Sequence, residues 1–125
     1  MKHCHCHSNE PFEKCCEPFL KRVSYPTTPE QLMRSRYTAY VLHDADYLME
    51  TTYVSERKFY AKSEILQWSK QNSWIKLEVI IAAHDTVEFK AYYLDESLSP
   101  KVHHEKSTFK KVGAKWYYFD GVFEF

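Results

Sequence analysis

Only two glycines, Gly113 and Gly121, occur in the 125 residues. That excludes a glycine-rich phosphate loop and leaves little room for flexible linkers. No cysteine follows Cys16, so a disulfide framework spread along the chain is excluded as well. Net charge is missing: 17 Lys and Arg balance 17 Asp and Glu. A large nucleic-acid surface calls for a basic bias and is not expected. No apolar run approaches the roughly 20 residues of a membrane-crossing helix. The first residues also lack the apolar run of a secretory leader. These absences predict a cytoplasmic chain without a transmembrane segment. Repeats and low-complexity segments are lacking too.

All four cysteines are packed into the first sixteen residues, as Cys4, Cys6, Cys15 and Cys16. The spacing is C-x-C-x8-C-C. Each close pair can span one edge of a tetrahedron, and the loop between them folds the pairs together, which suits Zn²⁺. Two disulfides or free redox thiols are the alternatives. A reducing cytosol weighs against disulfides, and vicinal Cys15 and Cys16 are poor partners for one another. His3, His5 and His7 alternate with the first cysteines. They read either as competing or additional metal ligands or as imidazoles exposed on a tail.

This stretch resembles the SEC-C zinc motif, found at the C-terminus of the SecA translocation ATPase and at the N-terminus of small bacterial YchJ-like proteins. The motif runs Cys-x-Cys-x8-Cys and then His or Cys, often with Gly-Ser-Gly after the second Cys. Cys4, Cys6, Cys15 and Cys16 match its ligands, and Ser8 matches its serine. His7 and Asn9 stand where the glycines would be. Asn is well suited to positive φ and is expected to keep the turn; His7 is the larger departure. The resemblance to the SecA motif implies contacts with a protein partner, since SEC-C motifs there meet a chaperone and also lipid. Lys14, Lys21 and Arg22 lie near enough to serve such a surface.

The length suits one small metal knuckle and one domain with its own core. We read residues 1–24 as the knuckle with its connector and residues 25–125 as an α+β domain. Phe19, Leu20 or Tyr25 is expected to pin the connector. Thr28-Pro29-Glu30-Gln31 predicts a helix start with a capping box. Met33, Tyr37, Tyr40 and Val41 then recur at helical spacing to about His43, with Arg34 and Arg36 flanking the stripe on opposite sides. Asp44 or Asp46 is expected to cap a short second helix. Thr51 to Lys62 reads as irregular, and Ser63 as the cap of a third helix. From Trp74 the period becomes two: Ile75, Leu77, Val79 and Ile81, then Val87, Phe89, Ala91 and Tyr93 after a turn at His84-Asp85. A third strand is expected over Val102 to Lys111. After a turn at Val112-Gly113-Ala114 come a fourth over Lys115 to Asp120 and a short last piece over Val122 to Phe125. About three helices on a curved antiparallel sheet result.

That order resembles the nuclear-transport-factor-2-like cone. Resemblance to the YchJ-like family extends through Leu32-Met-Arg-Ser-Arg-Tyr-Thr-Ala-Tyr-Val41 with Asp46-Tyr-Leu48, His104-Glu-Lys-Ser-Thr-Phe109 and Lys115-Trp-Tyr-Tyr-Phe-Asp-Gly121. It implies a zinc knuckle fused to such a cone, and no particular activity.

Period two puts His103, Glu105, Ser107 and Phe109 on one face of the third strand, while His104 faces the other way. A carboxylate sent inward needs a partner, and Arg36 is the expected one. Arg36, Tyr37, Tyr40, Glu105 and Ser107 are therefore the pocket candidates, either as contacts for a small polar ligand or as a structural Arg–Glu pair. Glu105 would be equipped to act as a general base only if desolvation raised its pKa. No Ser-His-Asp or Cys-His motif specifies a reaction. The function expected first is a protein-interaction or adaptor module with a structural Cys4 zinc. The alternative is a small-molecule-binding protein or enzyme using the pocket around Glu105. An exposed zinc end above a filled cone would favour the first, and an open pocket with a shifted Glu105 the second. Elemental analysis of the purified protein is expected to find about one zinc per chain, its thiols becoming titratable only after chelation. Metal-free protein with four reactive thiols would refute this.

Overall fold

The N-terminal turns are built from backbone bonds. The Cys4 amide donates to the Glu10 carbonyl at 2.7 Å, and His3 bridges to Pro11. The computed structural model describes residues 3–124. A 3₁₀ turn, Phe12–Lys14, and a short helix α1, Glu17–Leu20, follow. Phe19 and Leu20 pin the connector by packing on a small cluster of Ala39, Tyr47 and Leu48, while Tyr25 stays half exposed.

Cap chemistry sets the longest helix, α2, at Pro29–Val41. Thr28 Oγ1 accepts the Gln31 amide at 3.1 Å. The Gln31 carboxamide reaches one residue further back than a standard capping box, to the Thr27 amide at 2.8 Å. The helix stops short of the predicted His43, which turns left-handed at φ 62°. Asp44 then accepts the Tyr47 amide at 3.0 Å and starts α3, Ala45–Glu50. The stretch expected to be irregular contains a 3₁₀ segment, Val54–Phe59. Helix α4, Lys62–Gln71, starts at Ala61 with no side-chain cap. Ser63 lies inside its first turn, because the Ala61 carbonyl already accepts the Glu64 and Ile65 amides.

Four antiparallel strands form a meander in the order β1-β2-β3-β4: Ser73–Ala83, Thr86–Leu94, Pro100–Val112 and Lys115–Glu124. Gly113, at φ 61°, makes the tight turn between the last two. The expected break after Asp120 does not occur. β4 continues through Val122, with Phe119 left as an extra residue between the Thr108–Asp120 and Phe109–Tyr118 pairs. The alternation expected in β1 also fails in part. Leu77 is buried and Trp74 and Val79 pack on the core, but Ile75 and Ile81 are exposed. Bulges between Trp74 and Lys76 and between Val79 and Ile81 shift the faces. At the other side of the sheet, Thr52 bridges Tyr118 in parallel, and the Tyr53 amide donates to the Tyr118 carbonyl at 2.7 Å.

The fold is thus α+β, with helices on one face of a curved sheet. Its main core joins Cys4, Cys6 and Cys16 to Leu32, Met33 and Tyr37 of α2 and to Leu77, Val87, Phe89 and Phe109 of the sheet. Packing therefore crosses the boundary expected at residues 24 and 25. Among the described residues no helix is long and apolar enough to cross a membrane.

Candidate functional site

The four cysteine sulfurs lie within 4.8 Å of one another. Cys6 Sγ is 3.6 Å from Cys15 Sγ, and Cys15 Sγ is 3.9 Å from Cys16 Sγ. A tetrahedral Zn–thiolate site has sulfurs about 3.8 Å apart, so the cluster fits such an ion. The cysteines are free thiols rather than disulfides. Cys6 is held far below the ordinary thiol range by hydrogen bonds from Cys16 and Cys4. Burial pushes Cys15 up to about 11. Ser8 Oγ, 3.2 Å from Cys15 Sγ, and Thr38 Oγ1, 3.9 Å from Cys4 Sγ, support the sulfurs from outside. Arg34 ties the loop to α2 by donating to the Cys6 carbonyl at 2.8 Å.

The loop has the backbone that the motif's glycines would give. His7 and Asn9 both adopt left-handed φ, 63° and 70°. Asn9 does so cheaply, whereas His7 carries a cost of about 1–2 kcal/mol. Its ring lies edge-on to Tyr37 at 6.3 Å, and the His5 ring meets Phe12 at 5.4 Å. His3, His5 and His7 are exposed while Cys4 and Cys6 between them are buried. Among the described residues the metal-ligating cluster contains the four cysteines and no histidine.

A second feature is a cavity of about 180 Å³ between α2, α4 and the concave sheet face. All five pocket candidates line it: Arg36, Tyr37, Tyr40, Glu105 and Ser107. Glu105 sits on its floor with its side chain 7% exposed. His103 Nε2 is 2.7 Å from Glu105 Oε1, and Ser107 Oγ and Tyr118 OH donate to Oε2 at 2.6 and 2.8 Å. Burial alone would push this carboxyl up, but hydrogen bonds from His103, Ser107 and Tyr118 outweigh it, and the Glu105 pKa is lowered. The raised pKa on which a general-base role depends is therefore not met. Burial, then the Glu105 charge, pushes the Tyr118 phenol up, so it stays protonated and donates.

Arg36 is not the partner of Glu105. Its Nη1 donates to the Leu48 carbonyl at 2.9 Å and to Thr51 Oγ1 at 2.7 Å, and its guanidinium stacks 4.6 Å over the Tyr118 ring. Tyr118 thus stands between the two charges. The period-two reading placed His103 on the Glu105 face but missed its role, and it missed Tyr118 altogether. The opposite orientation of His104 does follow, since it meets Glu88 at 2.8 Å on the other face. The aromatic wall was also missed: Trp68 and Trp74 meet edge-to-face at 5.0 Å, with Tyr40 at 5.6 Å from each. Trp68 comes from α4 and Trp74 from β1, so no local pattern links them.

A family model described as YchJ, middle NTF2-like domain, matches residues 28–121. A UPF0225 protein of Actinobacillus succinogenes is 36% identical, covering 97% of this chain and 82% of its own. One from Geobacter sulfurreducens is 36% identical, covering 94% of this chain and 77% of its own. Among solved structures, a SEC-C motif containing protein from Rhodopseudomonas palustris superposes with a TM-score of 0.91 at 34% identity, covering 97% of this chain and 98% of that one. Another from Psychrobacter arcticus gives a TM-score of 0.82 at 27% identity, covering 100% of this chain and 84% of that one.

Two predictions concern Glu105. A Cβ built on Gly121 would lie 2.6 Å from both the Glu105 carboxyl carbon and the Tyr118 hydroxyl. Relieving that overlap displaces the Glu105 carboxylate or the Tyr118 hydroxyl from their shared hydrogen bond, so Gly121→Ala is expected to lower stability by about 1–3 kcal/mol in urea unfolding; an unchanged midpoint would contradict the close approach. The folded-state pKa of Glu105 lies below its ordinary 4.5. Its contribution to stability is therefore present above pH 4.5 and lost as pH falls through the lowered value. Wild type should lose stability more steeply than Glu105→Gln below pH 4.5, and parallel pH profiles would count against an ionised Glu105.

Proposed function

Because this chain belongs to the YchJ family of UPF0225 proteins and carries a SEC-C motif like its structural neighbours, we propose that it is a small-molecule-binding protein stapled by a structural zinc. The observation that carries the binding role is the open cavity with an ionised, fully hydrogen-bonded Glu105 on its floor. A cone that merely supported a docking module would fill this space with side chains. The lowered pKa makes Glu105 a poor proton acceptor near neutrality, so binding is favoured over general-base catalysis by this residue.

Zinc is the metal proposed because four soft thiolates at tetrahedral spacing select it and leave no coordination position for water. Cys4, Cys6, Cys15 and Cys16 would be its ligands, and the cytoplasm, where thiols stay reduced, is the compartment that suits them. The division into residues 1–24 and 25–125 is proposed as one of chain order, the two parts sharing a core. A docking role for the knuckle draws support from Val23, 77% exposed, and Tyr25, 50% exposed. Against it, two of the cations expected to serve a partner are engaged within the chain: Lys21 with Glu17, and Arg22 with Glu50 and Asp44.

Amide and indole NMR of the zinc-loaded protein against a library of small polar fragments tests the two readings. Shifts concentrated at Trp68, Trp74 and His103 are expected. Binding confined to the surface around Lys14, Val23 and Tyr25 would reverse the order.

A further inference from the structure

The charged groups around the cavity are not equally satisfied. Glu105 is enclosed by His103, Ser107 and Tyr118, and the Gly121 backbone closes in beside its carboxyl group. Arg36 is different. It is the one Lys or Arg among the described lining residues, it is half-buried, and no carboxylate pairs with it among the described residues. Its hydrogen bonds all leave from Nη1, to Leu48, Thr51 and Thr52. Nε and Nη2 have no partner among the described residues. Buried side-chain polar atoms are all satisfied there, so these N–H groups are reachable by solvent. A partly desolvated guanidinium with one open edge is a fork that matches a carboxylate.

The surroundings set the rest of the ligand. Trp68, Trp74 and Tyr40 form a wall of rings suited to a flat apolar body. The Tyr40 hydroxyl, also without a partner among the described residues, adds a second donor. Uncommitted polar atoms of this kind ask for acceptors. One arginine, with no second Lys or Arg in the described lining, suits a monoanion better than a phosphate. An ammonium group would find the rings favourable, but the carboxylate it needs is already surrounded.

Resting on the small-molecule reading above, we propose that the cavity binds a small planar organic carboxylate, with its acid group forked on Arg36 and its flat body against Trp68 and Trp74. Three probes of one ring size test this on the zinc-loaded protein: benzoate, benzylammonium and benzyl alcohol. Indole NMR titration reads the binding and thermal unfolding checks the fold of each variant. Benzoate is expected to shift the Trp68 and Trp74 indole signals and to bind at least about tenfold more tightly than either other probe, the worth of a charge-assisted fork. Arg36→Met should abolish that preference. Because Arg36 also holds the end of α3, Arg36→Lys is the companion variant, keeping the charge and losing the fork; it should bind benzoate more weakly than wild type. Benzylammonium or benzyl alcohol binding as tightly as benzoate would overturn the ligand class and leave the small-molecule reading standing. Unchanged benzoate affinity in both variants would remove Arg36 from the site. Silence toward all three probes would overturn the ligand class, and with no fragment perturbing these indoles the binding reading would go with it.

Discussion

A carboxylate placed among aromatic rings costs several kcal/mol unless donors surround it. Glu105 meets that condition with donors from two strands, His103 and Ser107 on β3 and Tyr118 on β4. Much of the cone follows from this one requirement. Tyr118 must point inward, which places its ring under the Arg36 guanidinium and links α2 to the sheet. Its backbone meanwhile bonds to Thr51 and Tyr53, which draws the segment after α3 onto β4. The strand must come close with no side chain opposite Ser107, and Gly121 occupies that place. Removing one donor would leave a buried charge under-satisfied, so the network acts as a unit rather than as a set of separable bonds.

The cysteine cluster packs on the helix that carries this network. Arg34 and Arg36 leave α2 in different directions, the first to the Cys6 carbonyl and the second to the end of α3 and Tyr118. Cys4, Cys6 and Cys16 are members of the main core. The cysteine side chains pack against Leu32, Met33 and Tyr37 of α2, and α2 forms one wall of the cavity. The cysteine-bearing turns thus lie at one end of a core that continues into α2 and the sheet.

What was legible in the sequence was whatever depends on near neighbours. The capping residues Thr28 and Gln31, the turn at Gly113, the cysteine spacing and the period-two placement of His103, Glu105 and Ser107 are all local patterns. What was not legible depends on contacts set by the whole fold. Tyr118 lies 13 residues from Glu105 and reaches it only once β3 and β4 pair. Trp68 and Trp74 become one wall because α4 folds back over the sheet. Charge and helix position point Arg36 toward Glu105, but the carbonyl of Leu48 and the hydroxyl of Thr51, brought near by the tight turn at His43, compete successfully for it. Alternation puts Ile75 and Ile81 on one face with Leu77 and Val79 because it cannot register a bulge.

Those bulges in β1 have a consequence of their own. With the strand order β1-β2-β3-β4, the outer edge of β1 is unpaired among the described residues, over 11 residues that include three isoleucines. A long, regular, apolar edge is a template for pairing with another chain and so for aggregation. Two breaks in register within that strand deny an incoming strand an unbroken ladder of amides and carbonyls. The irregularity that obscured the strand's faces in the sequence also keeps its exposed edge from growing the sheet outward into a neighbouring molecule.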